Sequence, residues 1–264
     1  MEEALESLPL NLNETYERMF ESIPSELKID AIRLLQFLVH SKRPLTLAEV
    51  KEVIATQIED DSRGFDIKRR LFCETDILAY CPSLVTVIYT NDKELHLAHF
   101  SVEEYLLRHD QFQITTASIS ITRTCLIYLT DINGSEREMR RYFPMARYAA
   151  EHWTYHATLT LGYEEITQRI VSFLETEETF QRWARLHQAD RSWDDSPGAP
   201  RGSRLYYACF NGLGVPARDL IDKGADVNAQ GGYYGNALQA ASQRGHHGIV
   251  NILQRRGAIT LPSP

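Results

Sequence analysis

The chain has 264 residues, 43% hydrophobic and 24% charged, which is an ordinary globular composition with room for one large or two small domains. Its net charge of −8 argues against a general affinity for nucleic acid or anionic membranes. The four cysteines are scattered, so neither a zinc knuckle nor a disulfide framework is indicated. The acidic N-terminus lacks a signal-peptide core, and no apolar run approaches the ~20 residues of a membrane helix. We expect a cytoplasmic protein, with the nucleus as an alternative compartment and no membrane partner.

The first part of the chain, residues 1–110, is predicted to fold as helices followed by a β-hairpin. The β-branched run 84–90 and the alternating run 95–100 are separated by the turn sequence NDKE. Before them, apolar residues recur at helical spacing in four stretches, at residues 12–23, 27–38, 46–54 and 65–81. An N-terminal helix followed by three helices and a hairpin predicts a winged-helix domain.

The middle of the chain, residues 111–189, is predicted to be a helical spacer of helical hairpins. Four stretches there show apolar residues at three- and four-residue steps: SISITRTCLIYLT, FPMARYAAEHWTYHA, EEITQRIVSFLE and EETFQRWARLHQ. Residues 190–203 are rich in Pro, Gly, Ser and charge, and are predicted to be a linker.

The last segment, residues 204–264, repeats itself. Residues 205–227 align with residues 238–260 at an offset of 33 without a gap, with matching Leu, Ala and Gly positions. This period, with a glycine after each helix, is typical of ankyrin repeats, and GADVNAQGGYYGNALQAASQRGHHGIVNIL resembles that family. We expect two repeats, the second frayed or truncated with LPSP marking a cut array, and the first packed on the helix around residues 177–188.

Together with these repeats, four motifs resemble the post-NTPase part of filamentous-fungal NACHT-type STAND proteins. The motifs are LESLPLNLNETYERMFESIP, AIRLLQFLVHSKRPLTLAEVKEVIA, LHLAHFSVEEYLL and FPMARYAAEHWTYHA. The resemblance implies a winged helix of the "GPI inositol-deacylase winged helix" family, a helical segment and an ankyrin solenoid, thus a mainly α fold with one small hairpin. It also implies an NTPase module upstream, ending just before LESLP, that the winged helix docks.

The expected function is therefore that of a regulatory, protein-binding segment. No G-x-x-x-x-G-K-[ST] occurs, nor any G-x-S-x-G or H-E-x-x-H, so we expect no enzymatic activity and no cofactor bound by this chain alone. A stand-alone ankyrin scaffold without an NTPase is the alternative. DNA binding by the winged helix is disfavoured, because residues 1–110 hold 12 Lys and Arg against 21 Asp and Glu.

The stretch ELHLAHFSVEEYLLRHD, residues 94–110, holds three histidines and two adjacent glutamates. In a strand, residues three apart point to opposite faces, so His96 and His99 cannot share a metal ion, and no metal site is predicted. Ser101 and Glu104 have capping-box spacing, which predicts Ser101 as the N-cap of a helix.

His99 remains a candidate through the resemblance. In STAND proteins the winged helix supplies a histidine that contacts the phosphates of ADP held by the NTPase domain, and LAHFS resembles the segment carrying it. The resemblance thus implies a nucleotide-sensor role for His99 when an NTPase is present. The alternative is a core histidine with one ring nitrogen bonded to a backbone carbonyl.

The residues expected to face a protein partner lie in the second repeat. They are Tyr233 and Tyr234 of the inter-repeat finger AQGGYYG, residues 229–235, and the polar first-helix residues Gln239, Gln243 and Arg244. The alternative interpretation of these positions is a solvated loop and helix face.

Overall fold

The structure is a computed structural model that describes residues 10–59, 64–89, 92–160, 162–195 and 198–260. The LESLP and LPSP motifs lie outside these residues. The chain divides into two compact units, residues 1–124 and 125–264, and the division falls within one long helix. No helix in the described ranges is long and apolar enough to cross a membrane.

The first unit is a small three-stranded sheet covered by helices. Its elements in chain order are α1 (Leu10–Glu21), α2 (Lys28–His40), β1 (Leu45–Thr46), α3 (Leu47–Ala55), α4 (Glu74–Tyr80), β2 (Val85–Tyr89), β3 (Lys93–Leu97) and α5 (Phe100–Leu106). Two 3₁₀ turns, Ile67–Arg69 and Asp110–Phe112, connect them. Alternating helices and strands that end in a hairpin give a winged helix, as predicted.

The sheet has the order β1-β3-β2, with both pairs antiparallel. Leu95 lies at its centre, opposite Leu45 on one side and Val87 on the other, and Leu95 and Leu45 are buried against the helices. Strand β1 was not predicted because two residues carry no readable alternation. The capping box of Thr46 and Glu49 is present and starts α3 directly after β1.

The predicted helix over residues 65–81 is wrong in its first half. Residues 67–69 form a single 3₁₀ turn, which starts where the Asp66 carboxylate accepts the Lys68 amide at 2.9 Å. Phe72, within this first half, is 94% exposed. The helix begins only at Glu74, because an aspartate competes well for backbone N–H groups and favours a turn.

The second unit is all helical in its described residues. Helix α6 (Ile114–Asp131) runs from the first unit into it. Then come α7 (Glu136–Tyr142), α8 (Ala146–Thr158), α9 (Glu164–Glu175), α10 (Glu177–Leu186), a 3₁₀ turn (Ala189–Arg191), α11 (Arg204–Phe210), α12 (Gly214–Asp222), α13 (Ala237–Gln243) and α14 (His247–Arg255). Its core includes an edge-to-face contact of Trp153 with Trp183 at 5.2 Å.

The two final helix pairs, α11–α12 and α13–α14, repeat each other in backbone detail. The Leu213 amide donates to the Ala208 carbonyl at 2.9 Å, and the His246 amide donates to the Ala241 carbonyl at the same distance. The connecting glycines, Gly212 and Gly245, adopt φ of 77° and 72°, which side chains with a Cβ rarely tolerate. The second pair has both helices and the same closing turn, so it is not frayed over residues 237–258. The expectation that LPSP marks a cut array falls on residues 261–264, which lie outside the described residues.

The first pair packs on α10, as predicted. Tyr207 of α11 contacts Phe180 at 6.1 Å and Trp183 at 5.7 Å between ring centroids, and Arg204 lies over the Phe180 ring. Helix α12 also packs on α9, where Lys223 pairs with Glu175 at 2.8 Å. Aromatic burial thus joins the repeats to the helices before them.

Candidate functional site

The winged helix contains a groove beside the end of β3. The groove has a volume of about 380 Å³, and buried leucines, among them Leu45 and Leu95, line it. Polar side chains at the same groove are Ser41, Lys42, Arg43, His96, His99 and Glu103. An apolar floor with polar groups along the rim is a typical arrangement for binding a ligand or a segment of another domain.

His99 is exposed at this groove, so the core-histidine alternative is wrong. Its Nδ1 accepts the Ser101 amide at 3.2 Å and lies 2.6 Å from the Ser101 hydroxyl, so His99 caps α5. A neutral ring whose Nδ1 accepts this amide carries its proton on Nε2, which leaves Nε2 as a donor. The donor is of the kind that can bind a phosphate oxygen.

The predicted N-cap at Ser101 is corrected by the same contacts. The N-cap is His99 and helix α5 begins at Phe100, two residues earlier than predicted, so Ser101 is buried inside the helix with its hydroxyl 2.7 Å from the Tyr16 hydroxyl. The Ser101 hydroxyl thus contacts both Tyr16 and His99, and the cap is the His99 ring, two residues before the serine. His96 lies on the opposite face of β3 from Leu95 and its Nε2 is 2.9 Å from Glu94.

The two arginines of the segment 67–70 are engaged within the winged helix, whereas Lys68 is exposed. Arg69 pairs with Asp30 at 2.9 Å, and Arg70 binds the buried Glu52 through two bonds of 2.5 and 2.7 Å. Helix α4 itself, whose sequence is ETDILAY, contains no Lys or Arg. These arginines therefore fix the segment to α2 and α3 and are not a free cationic surface.

In the second unit the structure brings the predicted finger residues against a residue that sequence reasoning assigned to a linker. Asp190 is 3% exposed, and its Oδ2 accepts the Tyr206 hydroxyl and the Tyr233 amide, each at 2.8 Å. Burial raises the pKa of Tyr206 well above its ordinary value, so the phenol stays a donor. The backbone at Gly232 also donates to the Arg201 carbonyl at 2.8 Å. The finger is thereby held to residues 190–201.

Four rings and one cation form a chain of contacts, which we call the aromatic row; its inner ring, Phe210, is buried, whereas Trp193, Tyr233 and Arg244 are exposed. Trp193 contacts Tyr233 at 5.5 Å, Tyr233 contacts Tyr234 at 5.1 Å, Tyr234 stacks on Phe210 at 5.8 Å, and Arg244 lies 5.0 Å over Phe210. Trp193 and Tyr233 are 65% and 60% exposed. Exposed Trp, Tyr and Arg are the residue types that dominate binding energy at protein interfaces.

Three of the five predicted partner-facing residues, Tyr233, Tyr234 and Arg244, therefore belong to the aromatic row. Gln243 is exposed next to Arg244, whereas Gln239 is half-buried where Asn236 caps α13. Sequence reasoning missed Trp193 and Phe210. The available signal for Trp193 was its position in a segment rich in Pro, Gly and Asp. A large aromatic residue is unusual in such a segment unless its ring packs against another part of the protein.

Within the described residues no group of three or more His, Cys, Asp or Glu could hold a metal ion.

Comparison with known proteins finds a family match within the first unit. Residues 16–117 match the family described as GPI inositol-deacylase, winged helix domain. A relative from Monascus ruber, azaphilone pigments biosynthesis cluster protein L, is 34% identical over 290 residues, which cover 96% of this chain. The chain spans 61% of the length of that relative. No solved structure matches.

Proposed function

We propose that this chain is a non-enzymatic regulatory segment of a STAND-type signalling protein of the cytoplasm, in which ankyrin-type helix pairs bind a protein partner. The observation that carries the proposal is the aromatic row, because it exposes Trp193 and Tyr233 on a finger that Asp190 holds in place. A binding surface that is ordered before the partner arrives loses less conformational entropy on association.

The repeat of helix pairs at a spacing of 33 residues supports the ankyrin-type assignment. Both pairs close with a glycine in the left-handed region, Gly224 with φ of 94° and Gly257 with φ of 84°. The finger between the pairs returns through an isolated bridge of Gln230 with Asn236. Fewer than three units are rarely stable alone, and the packing of Tyr207 on Trp183 provides the missing neighbour.

Photo-cross-linking tests the partner-binding proposal. A benzoylphenylalanine at Tyr233 should give discrete cross-linked species in the protein's own cells, and the same residue at Tyr142, which is 53% exposed on α7, should not. Equal cross-linking at both positions, or none at Tyr233, would contradict partner binding through this surface.

The proposed docking of an NTPase rests on the winged helix and on His99. The winged-helix family, together with a relative that extends well beyond this chain, supports a longer protein with a further module. The exposed His99 side chain supports the nucleotide-sensor role, since its Nε2 can act as a donor to a phosphate at the groove that His99 lines. The relative's name, which refers to a pigment biosynthesis cluster, supports a regulatory setting.

The sensor role is tested in the full-length protein. His99→Ala should reduce the nucleotide retained on purification, whereas His96→Ala, at the same groove but paired with Glu94, should not. Unchanged nucleotide retention in His99→Ala would contradict the sensor role. A coding sequence without a P-loop module upstream would instead favour the stand-alone scaffold.

DNA binding is the weaker function for the winged helix. Helix α4 carries Glu74 and Asp76 and no cation, and Arg69 and Arg70 are bound to carboxylates. Non-specific DNA affinity comes from cations that neutralise phosphates. Salt-dependent binding of a DNA duplex in a gel-shift assay would reverse this preference.

A further inference from the structure

The charge of the chain is strongly uneven. Residues 228–264 contain three arginines and no Asp, Glu or Lys, whereas residues 1–227 contain 25 Lys and Arg against 36 Asp and Glu. The second helix pair is thus the basic end of an acidic protein. Such asymmetry attracts a partner of the opposite sign and steers its approach.

Arg244 places one of these charges on the aromatic row. It is exposed at the C-terminal end of α13, and its guanidinium lies over the Phe210 ring. In the described part of the chain no carboxylate pairs with Arg244, in contrast to Arg256, which pairs with Asp222. A guanidinium held on an aromatic face keeps its edge free for bidentate binding of a carboxylate.

The two ends of the row differ in chemistry. One end offers the exposed rings of Trp193 and Tyr233, and the other offers Arg244 beside the exposed Gln243. Four successive contacts of 5.0 to 5.8 Å separate the ends. Because the sum of these contacts is an upper bound on the distance between the ends, at most about six residues of an extended peptide, at ~3.3 Å per residue, would reach from one end to the other.

We infer that the aromatic row binds an acidic, extended peptide segment of a partner protein. A carboxylate of the peptide pairs with Arg244, and an apolar side chain a few residues away packs on Trp193 and Tyr233. The inference rests on the proposed protein-binding function. A peptide fits better than nucleic acid, because stable binding to a phosphate backbone takes several cations and the row supplies one.

Selection from a phage-displayed library of random peptides of about twelve residues, panned on the whole chain, tests the inference. We expect the selected peptides to be enriched in Asp and Glu with at least one apolar residue. Their affinity should fall about tenfold or more with Arg244→Glu and with Tyr233→Ala, and should fall less with Arg244→Lys, which keeps the charge but loses the bidentate guanidinium. Arg255→Glu is the matched control, since it makes the same charge change at an exposed position outside the row. Circular dichroism shows that each variant is folded.

Each other outcome overturns the inference in a distinguishable way. Neutral or basic peptides that bind through Tyr233 would refute the acidic partner and leave the proposed function intact. No enriched peptide, together with no cross-linking at Tyr233, would refute both. An equal loss of affinity with Arg255→Glu would show that the net charge of the chain, and not the position of Arg244, controls peptide binding. Stronger binding of a labelled oligonucleotide would assign the surface to nucleic acid. A dimer that Arg244→Glu dissociates would assign it to a second copy, whose residues 1–17 hold five Glu and no Lys or Arg.

Discussion

Asp190 offers the sharpest test of how the finger is held. The Asp190→Ala substitution removes the acceptor of two hydrogen bonds, from the Tyr206 hydroxyl and the Tyr233 amide. Each bond to a charged acceptor contributes about 1.5–3 kcal/mol, and the donors left behind are poorly solvated. Part of this loss is offset, because a carboxylate that is 3% exposed is costly to bury and its Oδ1 has no partner among the described residues. We expect a net loss of about 2–4 kcal/mol in finger closure.

Hydrogen exchange measures this loss where it occurs. Peptides spanning residues 229–236 should exchange about 30-fold faster or more in Asp190→Ala, at 1.36 kcal/mol per tenfold change. Asp190→Asn keeps an acceptor oxygen and should lose about 1 kcal/mol. Asp195→Ala is the control, because its ion pair with Arg147 is exposed on both sides and worth at most about 1 kcal/mol. Unchanged exchange in Asp190→Ala would refute the role of this carboxylate.

Two further predictions concern the same unit. Gly212→Ala should lower the free energy of unfolding by more than Gly245→Ala in chemical denaturation. Both glycines have positive φ, so each substitution should cost about 1 kcal/mol, but only at Gly212 would the new Cβ lie 2.9 Å from the His246 ring. Equal losses would contradict the contact. Burial lowers the pKa of His187 below its ordinary value, and nearby Glu151 acts in the opposite direction. The folded state therefore favours the neutral ring. This contribution to stability is complete above pH ~6.5 and is lost as the pH falls below that value. The drop in denaturation midpoint between pH 7.5 and 5.5 should therefore be smaller in His187→Gln, and an identical drop would count against the prediction.

The regular elements followed from sequence where one local signal acted alone. Thr46 and Glu49 start α3 as a capping box, and the predicted hairpin forms β2 and β3, although β3 covers residues 93–97 and not the predicted run 95–100. The repeat at 33 residues placed all four final helices, because glycines with positive φ mark each turn. These features depend on residues close in sequence, whose geometry the backbone largely dictates.

The candidate sites were only partly predictable for the opposite reason. Tyr233 and Arg244 were identified as exposed, polar or aromatic positions, but their connection through Phe210 needed the packed helices. Asp190 was assigned to a linker because its neighbours are turn-forming residues, yet it is buried against Tyr206. At Ser101 local capping competed with a bond to Tyr16, which is 85 positions away, and the distant bond decided the outcome.

The sequence by itself therefore determined the order of the elements, the winged-helix topology of residues 16–117 and the period of the final helix pairs. Periodicity, capping and glycine conformations are local properties, and they can be recognised in the sequence without knowledge of the tertiary structure. The tertiary structure decided which side chains meet: His99 at the groove, Asp190 under the finger and the rings from Trp193 to Phe210 in one row. Such contacts join residues far apart in the chain, and only the packing of the core brings them within bonding distance.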